Sequence, residues 1–106
     1  MGVGQILMED IKFDDQGQML TGSFMDYAMP RARDLTAFHV ESNPVPTKTN
    51  PLGVKGAGEA GCVGAMPAVA NALVDALSVL GIKHIEMPAT PEVIWRAIRD
   101  ARAKSA

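Results

Sequence analysis

Apolar residues nearly close the circle along residues 68–80, "AVANALVDALSVL". The only polar positions there are Asn71, Asp75 and Ser78, spaced i, i+4 and i+7. That spacing draws one narrow polar stripe down a helix whose remaining surface is apolar. Such a helix is normally covered on most sides. Gly81 is its stop. A second helical pattern spans "TPEVIWRAIRDARAKSA", about 91–104, with Thr90 as cap and Pro91 at the first helical position. Ile94, Ala97, Ile98 and Ala101 make its apolar face, and Arg96, Arg99 and Arg102 lie elsewhere, where late basic residues suit the helix dipole. Residues 2–11 read as a short helix without a cap, through Val3, Ile6, Leu7 and Ile11.

Between these helices the pattern changes. "DDQGQ" at 14–18 is a turn. Residues 19–29, "MLTGSFMDYAM", mix apolar, β-branched and aromatic residues and predict a strand with a bulge at Gly22. Residues 37–42, "AFHVES", alternate and predict a second strand, and residues 82–87, "IKHIEM", a third. Residues 43–53 hold Pro44, Pro46 and Pro51 and predict extended loop. No repeat, low-complexity tract or interdomain linker interrupts the chain. Short strands plus two main helices place it in the α+β class. These pieces do not close a domain by themselves, because nothing in them covers the 68–80 helix.

At 106 residues, 47% hydrophobic and 21% charged, the chain is the size of one small globular domain. A net charge of −2 gives no basic footprint for nucleic acid or an anionic membrane surface. The single cysteine, Cys62, has no internal disulfide partner, which fits a reducing, cytoplasmic compartment. No unbroken run reaches the roughly 18 apolar residues of a membrane helix, and the N-terminus lacks a signal-peptide layout. Met1-Gly2 opens like a myristoylation signal, but Ile6 stands where Ser or Thr is required.

The chemistry concentrates in "GVKGAGEAG", residues 53–61, where Glu59 sits among Gly53, Gly56, Gly58 and Gly61. Glycine-rich loops usually cradle anions with backbone N–H groups, and a glutamate repels a phosphate. Gly56, Gly58 and Gly61 do spell G-x-G-x-x-G, with a helix and a strand following and Glu86 30 residues after Gly56. The dinucleotide fingerprint also needs a buried strand just before the glycines. Here "KTNPLGVK" stands there, with a proline, a glycine and two lysines. Plain P-loop chemistry has weaker support still, because no Lys-Ser or Lys-Thr follows the last glycine. His39, His84 and Cys62 are too dispersed for a metal site, and the seven methionines read as core filler. Asp26-Tyr27 reads as a strand residue beside an aromatic packing neighbour. Two readings of Glu59 remain from the residues alone: a solvated loop carboxylate, or a general base in a narrow, partly dry loop, where desolvation favours the protonated form.

"GQMLTGSFMDYAMPRARDL", "ESNPVPTKTNPLGVKGAGEAGCVGAMPAVANALVDAL" and "MPATPEVIWRAI" together resemble the C-terminal part of the molybdopterin-binding large subunit of the xanthine dehydrogenase, aldehyde oxidase and carbon monoxide dehydrogenase family. The resemblance covers nearly the whole chain. It implies an incomplete piece of a molybdenum-cofactor-binding domain. It implies that Glu59 is the active-site base, and that Lys55, Gly56, Ala57, Gly58 and Gly61 lie against the molybdopterin. "GVGQILMED" resembles the end of a cofactor-contacting segment whose upstream half is absent. No metal ligand is expected from the protein, because the pterin sulfurs hold the metal in this family.

The implied reaction hydroxylates an electron-poor carbon of a small molecule with oxygen from water. Electrons leave through iron–sulfur clusters and FAD on other domains or subunits. Met66 stands where many relatives have a second proline. The larger departure is length, since family large subunits are several times longer. Two classes of function follow: the catalytic-base segment of a molybdenum hydroxylase, or a non-catalytic remnant that keeps the fold. The expected partners are the remainder of the subunit, the iron–sulfur and flavin subunits and a small-molecule substrate, with no nucleic acid and no membrane.

Overall fold

The computed structural model describes residues 1–105. Three helices carry the chain: α1 (Gly2–Leu7), α2 (Ala60–Leu77) and α3 (Pro91–Ser105). Single 3₁₀ turns lie at Ala32–Asp34 and Ser78–Leu80. Among the described residues there is no strand, only an isolated antiparallel bridge between Phe13 and Met19. That bridge closes the turn expected at 14–18. Asp14 Oδ1 accepts the N–H groups of Gln16 (2.9 Å) and Gln18 (2.8 Å), and Gly17 takes φ +79°.

The α part of the α+β reading therefore stands, and the three expected strands are corrected. Residues 19–29 do not run straight. After the bridge they turn at Ser23, whose carbonyl accepts the N–H groups of Asp26 (3.1 Å) and Tyr27 (2.9 Å). Residues 37–42 and 82–87 form no regular element: a strand needs a ladder partner, and alternation in a sequence records only which way side chains point.

α2 starts eight residues earlier than the apolar pattern predicts, at Ala60 rather than residue 68. It runs through Pro67, which has no N–H to give the preceding turn. Packing against α1 offsets that loss. A Cβ placed on Gly2 would lie 2.9 Å from Ala65 Cβ and 3.0 Å from the Cys62 carbonyl oxygen, so only glycine lets the two helices approach this closely. At the other end Gly81 takes φ +74° and its N–H reaches the Ser78 carbonyl at 2.8 Å, the expected stop. α1 ends at Leu7, earlier than residue 11. α3 begins as expected: Thr90 receives the Val93 N–H on Oγ1 (3.4 Å) and the Ile94 N–H on its carbonyl (3.0 Å).

The core is small. Leu77, Ile85 and Ala89 are buried, and Val93, Ile94, Ala97 and Ile98 of α3 pack against them. The Ala89 N–H donates to the Ile6 carbonyl at 2.6 Å, which ties α1 to the approach of α3. The radius of gyration is 18.4 Å, against about 13 Å for a compact domain of this length. The accessible surface is 8827 Å², against roughly 5,700 Å² for a folded monomer of this mass. The chain is thus an open arrangement of elements with too little interior of its own.

The burial expected for the 68–80 helix is not met within the chain. Ala60–Leu80 has a mean hydropathy of 1.6, yet only 6% of its apolar window is buried. By length and composition it is apolar enough to cross a membrane. Glycines and Asn71 divide this stretch, so it contains no unbroken apolar run.

Candidate functional site

The glycine segment divides into three parts. Residues 54–57 are irregular and exposed, Gly58 and Glu59 form a turn, and Ala60 begins α2. Gly61 is therefore a first-turn helical residue and not part of a loop. Lys55, Gly56, Ala57, Gly58, Glu59 and Gly61 are all exposed. Glu59 is the N-cap residue of α2, with its carbonyl accepting the Val63 N–H at 2.9 Å. Its side chain does not cap the helix. Among the described residues neither its carboxylate nor the Lys55 ammonium has a hydrogen-bond or ion-pair partner. The narrow, partly dry loop expected around Glu59 is not formed by this chain.

Open space surrounds the glycines. A Cβ on Gly56, Gly58, Gly61 or Gly64 would meet nothing within 4 Å. Within the chain, then, these four glycines answer to no close neighbour. The first N–H groups of α2 point out of the helix without intrahelical acceptors, as at every helix start.

A cleft of about 370 Å³ opens beside this turn. Gly58, Gly61 and Cys62 form one wall, Gly2 and Gly4 of α1 another, and Phe38 a third. Cys62 Sγ lies 3.8 Å from Gln5 Oε1 and donates weakly to it. Sequence reasoning alone did not bring α1 to the glycine turn. The signal was present in "GVG" at 2–4, since a Cβ on Gly4 would come within 2.5 Å of Pro30 Cγ and would also strike the Glu9 carboxylate. Glu9 is itself engaged, accepting the Tyr27 hydroxyl at 2.6 Å. That hydrogen bond, with burial and the glutamate charge behind it, pushes the Tyr27 phenol above its ordinary value of 10.0. Asp26 instead accepts the Ser23 hydroxyl at 2.6 Å.

No group of three or more His, Cys, Asp or Glu that could hold a metal is found among the described residues. Among the described residues no strand precedes Gly56, so the dinucleotide alternative still lacks the buried strand it needs. A molybdopterin fits the segment as one wall of its site. The glycine positions leave room, α2 presents free N–H donors, and Lys55 adds an exposed cation.

The chain is thus an open arrangement with an accessible carboxylate at a glycine-lined helix start. The family profile of the molybdopterin cofactor-binding domain matches residues 1–36. The chain is 40% identical to the nicotine 6-hydroxylase large subunit of Paenarthrobacter nicotinovorans, covering 92% of this chain and 12% of that protein. It is 30% identical to the carbon monoxide dehydrogenase large chain of Hydrogenophaga pseudoflava, covering 93% and 12%. Among solved structures, reconstituted CO dehydrogenase from Oligotropha carboxidovorans matches with a TM-score of 0.86 at 30% identity, over 97% of this chain and 13% of that one. The chain belongs to the molybdenum hydroxylase large-subunit family, and it spans about one eighth of the length of these relatives.

Proposed function

We propose that this chain is the C-terminal catalytic-base segment of a molybdenum hydroxylase large subunit. The observation that carries the reading is the state of Glu59. Its backbone is fixed at the start of α2, between Gly58 and Gly61, which line the cleft, while its carboxylate is exposed and, among the described residues, without a partner. A loop carboxylate kept for structure would cap the helix or meet a cation. This one is held in place and left available.

When bound, molybdenum–molybdopterin supplies the two-electron redox chemistry of hydroxylation with water-derived oxygen. Glu59 takes the proton from the water-derived hydroxyl that becomes the product oxygen, which makes that oxygen a nucleophile. Gly56, Gly58 and Gly61 give the cofactor and substrate room to reach the carboxylate. Lys55, Ala57 and the free N–H groups at the start of α2 hold one edge of the pterin. The substrate is a small molecule with an electron-poor carbon, such as an aldehyde or an N-heterocycle. The apolar surface of α2 packs against the remainder of the subunit, which excludes water from the site. Electrons pass to iron–sulfur and FAD partners, and the assembly works in the cytoplasm.

The test is Glu59→Gln in the complete enzyme. A loss in kcat of about 10²- to 10⁴-fold with unchanged molybdenum content supports the reading. A threefold effect or less, with molybdenum retained, reduces Glu59 to a loop carboxylate.

A further inference from the structure

Residues 22–46 are tied to the rest of the chain by one polar contact. Among the described residues their hydrogen bonds and ion pairs are all local, with a single exception: the Tyr27 hydroxyl donates to Glu9 Oε2 at 2.6 Å. Tyr27 is half-buried, while Phe24, Met25 and Asp26 before it are exposed. Glu9 is itself held on α1, its N–H reaching the Gly4 carbonyl at 2.9 Å. After Tyr27 the chain bends at once, with the Met29 N–H donating to the Tyr27 carbonyl at 2.9 Å. The bend lays Pro30 on α1. Gly4 is buried, and a Cβ there would strike both Pro30 and the Glu9 carboxylate. Pro30 and Glu9 thus meet over one glycine, and the Tyr27 hydroxyl closes the arrangement.

Pro30 and Gly4 line the cleft that Gly58, Gly61 and Cys62 also line, and Leu35 and Phe38 extend the Pro30 side. The Arg31 N–H donates to Asp34 Oδ2 at 2.9 Å, which sets the turn between Pro30 and Leu35. We propose that Tyr27 is a positioning residue for substrate binding: through Glu9 it holds Pro30 on Gly4, and so fixes the apolar side of the cleft against which the substrate rests.

The hydroxyl is the working part. A phenylalanine ring would fill the same space, but the Glu9 carboxylate would then turn to water, and the one polar tie on this segment would be lost. The Pro30 side would shift by rotation about its local turns, with α1 and α2 unmoved. Pro30, Leu35 and Phe38 carry no group that can move a proton. Their contact with substrate is therefore the same before and during the reaction, and its loss weakens binding without slowing the chemical step. The inference rests on the reading of this cleft as the substrate site, and it gives Tyr27 a role separate from the chemistry at Glu59.

Tyr27→Phe in the complete enzyme tests it. KM should rise by about 2- to 10-fold, the worth of one hydrogen bond, with kcat and molybdenum content unchanged. Adding Glu9→Ala to Tyr27→Phe should raise KM no further, because the two side chains form one tie. Pro30→Ala keeps the tie and removes the ring it holds, and should raise KM alone in the same way. An unchanged KM in Tyr27→Phe overturns the proposal. Additive effects of Tyr27→Phe and Glu9→Ala overturn it too, as does loss of molybdenum or of folded enzyme in Tyr27→Phe, which makes the tyrosine a residue of stability. Glu59→Gln is read separately through kcat. A kcat hardly changed there, beside a raised KM in Tyr27→Phe, keeps this inference and removes the base. A full loss of kcat beside an unchanged KM in Tyr27→Phe keeps the base and removes this inference.

Discussion

Gly2 rests on Ala65, and the contact leaves no room for a methyl group: a Cβ on Gly2 would stand 2.9 Å from Ala65 Cβ. This one approach brings α1 across the first turns of α2 and so builds the cleft beside Glu59. Gly64 is one residue away from Ala65, yet a Cβ there would meet nothing within 4 Å. The two glycines should respond oppositely to the same substitution.

Gly2→Ala should destabilise the chain by about 1–3 kcal/mol, the usual cost of overpacking. Gly64→Ala should raise helix stability by roughly 0.5–1 kcal/mol. Urea unfolding of the 106-residue chain, followed by circular dichroism, measures both. Equal effects would mean that α1 does not lie on α2.

The Tyr27–Glu9 hydrogen bond gives a titratable marker for the 23–31 segment. Tyr27 is the only tyrosine, so ultraviolet titration reads it without overlap from another phenol. Its folded pKa is raised above 10.0. The protonated phenol is thus favoured by folding. That contribution is complete below about pH 10 and is lost as pH rises through the raised folded value. Glu9→Gln removes the carboxylate charge and should move the titration back toward 10.0. An unchanged titration would show that Glu9 does not hold the phenol.

Much of the helical half was legible because its signals are local. Thr90 and Pro91 announce α3, Gly81 stops the preceding helix, and "DDQGQ" makes its turn, each by a residue or two. What failed required distant partners. The apolar pattern starts the helix at residue 68, but it begins at Ala60, with Gly2 of α1 packed against Ala65. Alternation at 37–42 reads as a strand, but no ladder forms there among the described residues. The Glu59 turn stood out for its chemistry and Gly2 and Gly4 only through the resemblance of "GVGQILMED", whereas the approach of Gly2, Gly4 and Phe38 to that turn became visible only once the chain was folded.

The exposed α2 should make the chain on its own associate or bind apolar dyes. Monomers seldom expose apolar patches beyond a few hundred Å², and only 6% of this helix's apolar window is covered. Light scattering and dye fluorescence check the expectation. A compact, dye-silent monomer would mean that the open arrangement closes on itself in solution.

Molybdenum should not stay with the 106-residue chain. Small-molecule sites bury about 70–90% of the ligand, and this segment offers one wall with a cleft of about 370 Å³. Metal analysis after expression in a cofactor-producing host measures the content. Stoichiometric molybdenum would show that the other walls are unnecessary.

The most discriminating prediction separates a base from a structural carboxylate at Glu59. Its backbone carbonyl already serves α2 through Val63, and any residue supplies a carbonyl, so Glu59→Ala in the complete enzyme should keep the fold and the cofactor. It should lower kcat and kcat/KM together, as expected for an interaction made in the transition state. The vacated space lies beside glycines that crowd nothing in this chain. A small external carboxylate such as formate should therefore enter and restore part of the rate in proportion to its concentration. Glu59→Gln fills the same space with an amide and should not respond to formate. Rescue of the alanine variant alone identifies a missing proton acceptor. Loss of activity in both variants with no rescue, or with loss of molybdenum, would assign Glu59 to holding the site together.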